Sequence, residues 1–165
     1  MAASSRAFLL LATALCFFSL LGFAHCHSNL FVEGKVYCDT CRVQFETKLS
    51  KYLPGAKVHL ECRNRNDGNI TYTAEGECDD KSAYSIPVAG EHEEDICEVV
   101  LGKSNNPDCA GILPGRDRAR VYISSNNGIS SLVRYANSLG FIKKEALPEC
   151  PEILKELGIL PSEVL

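Results

Sequence analysis

Apolar and polar residues alternate with a period of two along much of this chain. Leu30, Val32, Gly34, Val36 and Cys38 fall on one face of an extended segment, with Phe31, Glu33, Lys35 and Tyr37 on the other. Ala56, Val58, Leu60 and Cys62 alternate against Lys57, His59 and Glu61, and Ile70, Tyr72 and Ala74 against Thr71, Thr73 and Glu75. The pattern returns at Tyr84, Ile86 and Val88, at Cys97, Val99 and Leu101, and at Ala119, Val121 and Ile123. Successive side chains of a strand point to opposite sides, so each run offers one apolar face. Six such runs predict an all-β fold, an antiparallel β-sandwich or barrel around a shared core.

Turn chemistry separates the runs. Pro54-Gly55 ends the segment before the second run, and Asn66-Asp67-Gly68-Asn69 predicts a hairpin between the second and third. Pro87 has no backbone N–H to give a neighbour, which places the fourth strand at a sheet edge. Phe45, Leu49, Tyr52 and Leu53 stand at i, i+4, i+7 and i+8 and predict a short helix before Pro54. A second helix is predicted from Pro151, which suits the first helical position, to Gly158, which suits the stop. Ile153, Leu154 and Leu157 would form its docking face. With no repeat and no linker, the chain beyond its first residues reads as one domain, 25–165.

The first 24 residues read differently. Arg6 is followed by an apolar run and then by Gly22 and Ala24, the small residues a signal peptidase requires. The run is short for a membrane span, so a cleaved signal peptide at 1–24, a secreted extracellular product and no transmembrane anchor are expected. That compartment decides how nine cysteines are read. Cys16 leaves with the leader, and cleavage after Ala24 keeps an even set of eight, the natural state in an oxidising environment. Seventeen Lys and Arg against 21 Asp and Glu give a net charge of −4, so the chain is not built to neutralise phosphates and nucleic acid is not an expected partner.

No catalytic set stands out. Cys38-Asp-Thr-Cys41 has the spacing of a disulfide-exchange motif, but that chemistry belongs to folds alternating strands with long helices. Two structural cysteines with distant partners are the stronger reading, with a thiol–disulfide oxidoreductase as the rival. A zinc site needs a second close ligand pair, which is missing, and no metal or other cofactor is expected. His25 and His27 precede the first strand, His59 lies on an outer strand face, and His92 sits in the acidic run 91–95, a solvated loop with calcium binding as the sharper alternative. There is no Gly-x-Ser-x-Gly elbow. Arg116, Arg118 and Arg120 alternate with Asp117 and Ala119; Arg118 and Arg120 then face outward, as a solvated face or a basic strip for an acidic partner. Asn69-Ile-Thr71 is an N-glycosylation sequon placed after a hairpin turn, where an acceptor is exposed.

The string Glu33-Gly-Lys-Val-Tyr-Cys-Asp-Thr-Cys-Arg42 resembles the signature of the Ole e I family of secreted pollen proteins, which includes pollen allergens. The likeness continues through Leu53-Pro-Gly-Ala56, Val58-His-Leu-Glu-Cys62, Glu94-Asp-Ile-Cys97, Asp108-Cys109 and the stretch from Leu139-Gly-Phe-Ile to Pro148-Glu-Cys150, covering essentially residues 32–160. The resemblance implies a small β-sandwich or barrel with three disulfides, which on the matching cysteines are Cys38 with Cys109, Cys41 with Cys150, and Cys62 with Cys97. Distant half-cystines would thereby clamp two layers of strands. Cys78 departs from the six-cysteine pattern; if Cys26 survives processing, a fourth bridge between Cys26 and Cys78 is expected. Family members can also carry a sequon near 126–131, but Asn127-Gly-Ile lacks the hydroxyl residue, so no glycan belongs there. The implied function is a secreted, non-enzymatic glycoprotein that acts by extracellular recognition in pollen hydration, germination or tube growth and is a potential allergen. Its partner would be an extracellular protein such as a cell-surface receptor, met through loops at 89–95, 102–115 and 124–131. A carrier of small hydrophobic ligands is the remaining alternative.

Overall fold

The computed structural model describes residues 30–159. The expected leader at 1–24, with Cys16, lies outside the described residues, as do His25, Cys26, His27 and residues 160–165. The six alternating runs form β1 (Leu30–Asp39), β3 (Lys57–Asn64), β4 (Ile70–Glu77), β5 (Ala83–Val88), β6 (Asp95–Leu101) and β8 (Arg118–Val121). Four further short strands join them: β2 (Lys51–Tyr52), β7 (Gly111–Ile112), β9 (Val133–Tyr135) and β10 (Leu139–Ile142). One helix, α1 (Cys150–Glu156), follows.

Two sheets enclose the core. One has the order β4-β3-β6-β8 and is antiparallel throughout. The other is organised on β1, whose first half pairs with β5 and β9 and whose second half pairs with β2 and β10, with β7 beyond β10. The β1–β9 and β1–β10 pairs are parallel, a departure from the purely antiparallel expectation. Alternation reports which face a residue takes but not the direction of its strand. Val32, Val58, Leu60, Ile86 and Val99 fill the space between the sheets without measurable exposure. Pro87 faces Phe31, and among the described residues β5 bonds to β1 alone, so there the proline occupies an edge.

Tyr37 was expected on an outer face and is buried instead. It is opposite Gly140 on β10, where an added Cβ would come within 2.7 Å of the tyrosine ring. The glycine leaves the surface over which the ring lies, and burial pushes the Tyr37 phenol above its ordinary pKa, with Arg116 opposing. All four residues of β10 are thereby buried, so this strand has no alternating pattern.

The helix expected over 45–53 does not form. Arg42 and Gln44 adopt positive φ, and the Asp39 carboxylate accepts the N–H groups of Cys41 (3.2 Å) and Gln44 (2.6 Å). These bonds fix the chain in a bend that no helix can leave in register, and Tyr52, assigned to the apolar face, is exposed in β2. The second helix does form. Pro151 stands in its first turn and Gly158 (φ 70°) ends it, with Gly158 N–H donating to Lys155 O and Ile159 N–H to Leu154 O. Ile153 and Leu154 are buried, whereas Leu157 lies past the last turn and is exposed.

Two substitutions test this packing. Leu60→Ala should cost about 2–5 kcal/mol of unfolding free energy, as for other fully buried leucines. Gly140→Ala should cost about 1–3 kcal/mol by forcing Tyr37 aside. Denaturant melts of the oxidised protein measure both, and an unchanged midpoint for Gly140→Ala would mean that Tyr37 is not held against β10.

Candidate functional site

The register of the strands sorts the loops into two ends. Asn64 pairs with Asp95 at one end of the antiparallel sheet and Val58 with Leu101 near the other. The hairpin at 65–69 and the loops at 89–94 and 124–131 therefore share an end, while the connection at 102–117 lies at the opposite one. Hydrogen bonds join the first group: Arg65 donates to the Glu93 carbonyl (3.2 Å), and the Glu91 carboxylate accepts the Ser125 N–H (3.1 Å) and the Ser125 hydroxyl. Asn69 is exposed at the hairpin, and its N–H is held by Asp67 (2.9 Å).

A polar cluster ties this hairpin to the acidic run. The Thr71 hydroxyl, third residue of the sequon, donates to Asp95 Oδ2 at 2.7 Å. The same oxygen lies 3.1 Å from His92 Nδ1, while His92 Nε2 is 3.1 Å from the Ala89 carbonyl. The imidazole also packs against the Tyr72 ring, centroids 4.6 Å apart. Hydrogen bonds from Thr71 and His92, with the nearby Arg65 charge, hold the Asp95 carboxyl below its ordinary pKa despite its partial burial. His92 is thus a fastener within its loop, while His59 stays on the outer strand face beside Glu75. Among the described residues no group of three or more His, Cys, Asp or Glu side chains is placed to hold a metal ion.

At the other end Cys38 and Cys41 part company. Cys38, in β1, is bonded to Cys109 with Cα atoms 6.0 Å apart; Cys41, in the bend that follows, is bonded to Cys150 at the start of α1, 5.4 Å apart. Neither keeps a thiol for exchange chemistry. Cys62 and Cys97 face each other on β3 and β6 and are bonded at a Cα separation of 4.0 Å. That bridge joins neighbours in one sheet, so it does not clamp the two layers. Cys78 is buried with no bridge among the described residues, and burial, with Asp79 and Glu77 adding, pushes its thiol up to about 11.

Arg118 and Arg120 do face outward, while Ala119 and Val121 face the core. Arg118 is 2.7 Å from Glu98, and Arg120 reaches the same carboxylate at 3.9 Å. Their charges are largely answered within the sheet, which weakens the reading as a basic strip. Sequence reasoning missed Arg134, buried on β9 beneath the 124–131 loop. Its guanidinium donates to the carbonyls of Ser131 (2.5 Å) and Ser124 (2.8 Å). An arginine between Val133 and Tyr135 gives no sign in the sequence of which way it points.

A family model described as "Pollen protein Ole e 1 like" matches residues 28–158. The chain is 53% identical to the "Olee1-like protein" of Betula pendula over 98% of its own length and 99% of that protein. It is 50% identical to the "Anther-specific protein LAT52" of Solanum lycopersicum (94% of this chain, 97% of that one) and 49% to the "Pollen allergen Che a 1" of Chenopodium album (93% and 94%). Among solved structures, the major plantain pollen allergen Pla l 1 superposes with a TM-score of 0.67 at 34% identity, covering 74% of this chain and 99% of that one.

The depressed Asp95 carboxyl makes a pH prediction. Its contribution is fully present above the unfolded carboxylate value of about 4 and is lost as pH falls through the lower folded value. Wild type should therefore exceed Asp95→Asn in stability at pH 6, and the gap should close below about pH 4. A gap that stays constant in melts across this range would contradict the assignment. Separately, Cys62→Ser with Cys97→Ser should lower unfolding free energy by about 3–5 kcal/mol in denaturant titrations.

Proposed function

This chain belongs to the Ole e 1-like family of pollen proteins, and from that membership we propose that it is a secreted, non-enzymatic pollen glycoprotein acting by extracellular recognition. The observation that carries the reading is likeness over nearly the whole chain, near 50% identity, to proteins named for pollen and anther. The proposed role is in pollen hydration, germination or tube growth, with a protein on a cell surface as the partner. The same likeness supports the protein as a potential allergen.

The details fit one another chemically. Residues 1–24 act as the cleaved leader and carry the chain to a compartment in which disulfides persist. The pairs Cys38 with Cys109, Cys41 with Cys150, and Cys62 with Cys97 hold residues 25–165 as one domain. Cys26 would close a fourth bridge with Cys78, so that denatured but unreduced protein takes up no thiol label at Cys78. Asn69 carries the glycan, and the loop group at 65–69, 89–94 and 124–131 presents side chains for recognition from a rigid support.

Two measurements test this. In medium from germinating pollen, the protein should begin at residue 25 and lose mass on N-glycosidase treatment, the loss being absent in Asn69→Gln; retention of residues 1–24 would contradict secretion by this route. Pollen lacking the protein should hydrate or extend tubes more slowly, with recovery on adding the oxidised protein but not a reduced and alkylated sample. Equal growth with and without the protein would remove the proposed role.

A further inference from the structure

The sequon Asn69-Ile70-Thr71 enters β4 at an irregular point of the sheet. Arg63 pairs with Ile70 and Cys62 with Tyr72, so Thr71 is an extra residue with no partner on β3, a β-bulge. A bulge re-aims the side chain it carries. Here the Thr71 hydroxyl lies 3.2 Å from the Cys62 carbonyl and donates to Asp95 Oδ2 at 2.7 Å. The backbone of Asn69 is held as well. Its carbonyl accepts the Asn64 N–H at 2.9 Å, and its own N–H donates to the Asp67 carboxylate at 2.9 Å.

A covalent link keeps Asp95 within reach of Thr71. Asp95 opens β6 opposite Asn64, and two residues further on Cys97 is bonded to Cys62, whose carbonyl borders the Thr71 hydroxyl. Once that bridge is closed, β6 cannot leave β3, and the carboxylate stays beside the hydroxyl. The bridges of Cys38 with Cys109 and Cys41 with Cys150 lie outside β3, β4 and β6.

Glycan transfer uses both ends of a sequon at once: the Asn amide is the nucleophile, and the requirement for Ser or Thr two positions on means that the enzyme binds that hydroxyl. Exposure of Asn69 therefore does not suffice. In the folded chain the Thr71 hydroxyl is already given to a carboxylate and the flanking backbone is paired.

We propose that sugar transfer to Asn69 must precede closure of the Cys62–Cys97 bridge, so that the two reactions compete for the nascent chain. The inference rests on Asn69 as the glycan-bearing residue. In the first reaction Asn69 Nδ2 bonds to the anomeric carbon of a lipid-linked oligosaccharide; the bond from that carbon to the lipid diphosphate breaks, and the amide proton leaves with the diphosphate. In the second, the Cys62 and Cys97 thiols give two protons and two electrons to a disulfide-carrying oxidant, which becomes a dithiol. Asp95 is synthesised 24 positions after Thr71, so at ~5–20 residues per second the hydroxyl is without its partner for about 1–5 s. Chains that close first fold without the glycan.

The experiment offers a purified oligosaccharyltransferase and a lipid-linked oligosaccharide to the processed chain made without glycan, either oxidised and folded or reduced and carboxymethylated. Mass spectrometry reads transfer at Asn69. The reduced chain should be modified and the oxidised chain should resist. Asp95→Ala, with all bridges intact, should raise transfer to the oxidised chain about tenfold, the factor of one hydrogen bond to a charged group. Cys62→Ser with Cys97→Ser should raise it too, whereas Cys41→Ser with Cys150→Ser should leave it at the wild-type value, each assayed below its own melting transition. Equal transfer to oxidised and reduced chains, no change in Asp95→Ala, or an equal rise in both bridge variants would each overturn the proposal. Transfer to neither form, while a free sequon peptide is modified normally, would instead remove Asn69 as an acceptor and the proposal with it.

Discussion

The structure depends on β1 serving two sets of neighbours at once. Its first half bonds to β5 and β9 and its second half to β2 and β10, so strands from the middle and the end of the chain are aligned by one ten-residue segment. Cys38 lies within this strand and Cys41 just past it, and their bridges carry the alignment to the 102–117 connection and to α1. A strand held by backbone bonds on both edges and by covalent links at one end has little freedom to shift register, because a slip of one residue would turn Val32 and Val36 out of the core. The sequence separations bridged, 71 and 109 residues, are long enough that each link removes much of the unfolded chain's entropy.

That arrangement divides the molecule by role. Two of the three bridges lie where β1 ends, whereas at the other end, beyond the Cys62–Cys97 bridge, the 65–69, 89–94 and 124–131 loops are tied mainly by polar contacts: Thr71 and His92 on Asp95, Ser125 on Glu91, and Arg134 beneath Ser124 and Ser131. Loops fixed this way keep a definite shape but can be altered by pH without disturbing the core.

Much of this was readable from alternation, and the failures have physical causes. The six alternating strands declare themselves because most of their outward positions are polar, even where, as in the second half of β1, both faces are buried. β10 does not, because Tyr37 lies over Gly140 and leaves no exposed face to break the apolar run. The helix expected at 45–53 had the right spacing, but Asp39, six or more positions before that helix's apolar residues, captures the local N–H groups and bends the chain. Which loops share an end follows only from register, so the 102–115 loop could not be separated from the other two by pattern. Arg134 was hidden for a related reason: its inward turn is set by pairing with Val32 across β1 and β9, a contact between residues about a hundred positions apart.

The most direct test of this account is the disulfide connectivity of the purified, non-reduced protein, read by mass spectrometry of proteolytic fragments. The account predicts fragments joining Cys38 to Cys109, Cys41 to Cys150 and Cys62 to Cys97. A fragment in which Cys38 is bonded to Cys41 would contradict it, since β1 would then be tied to neither the 102–117 connection nor α1.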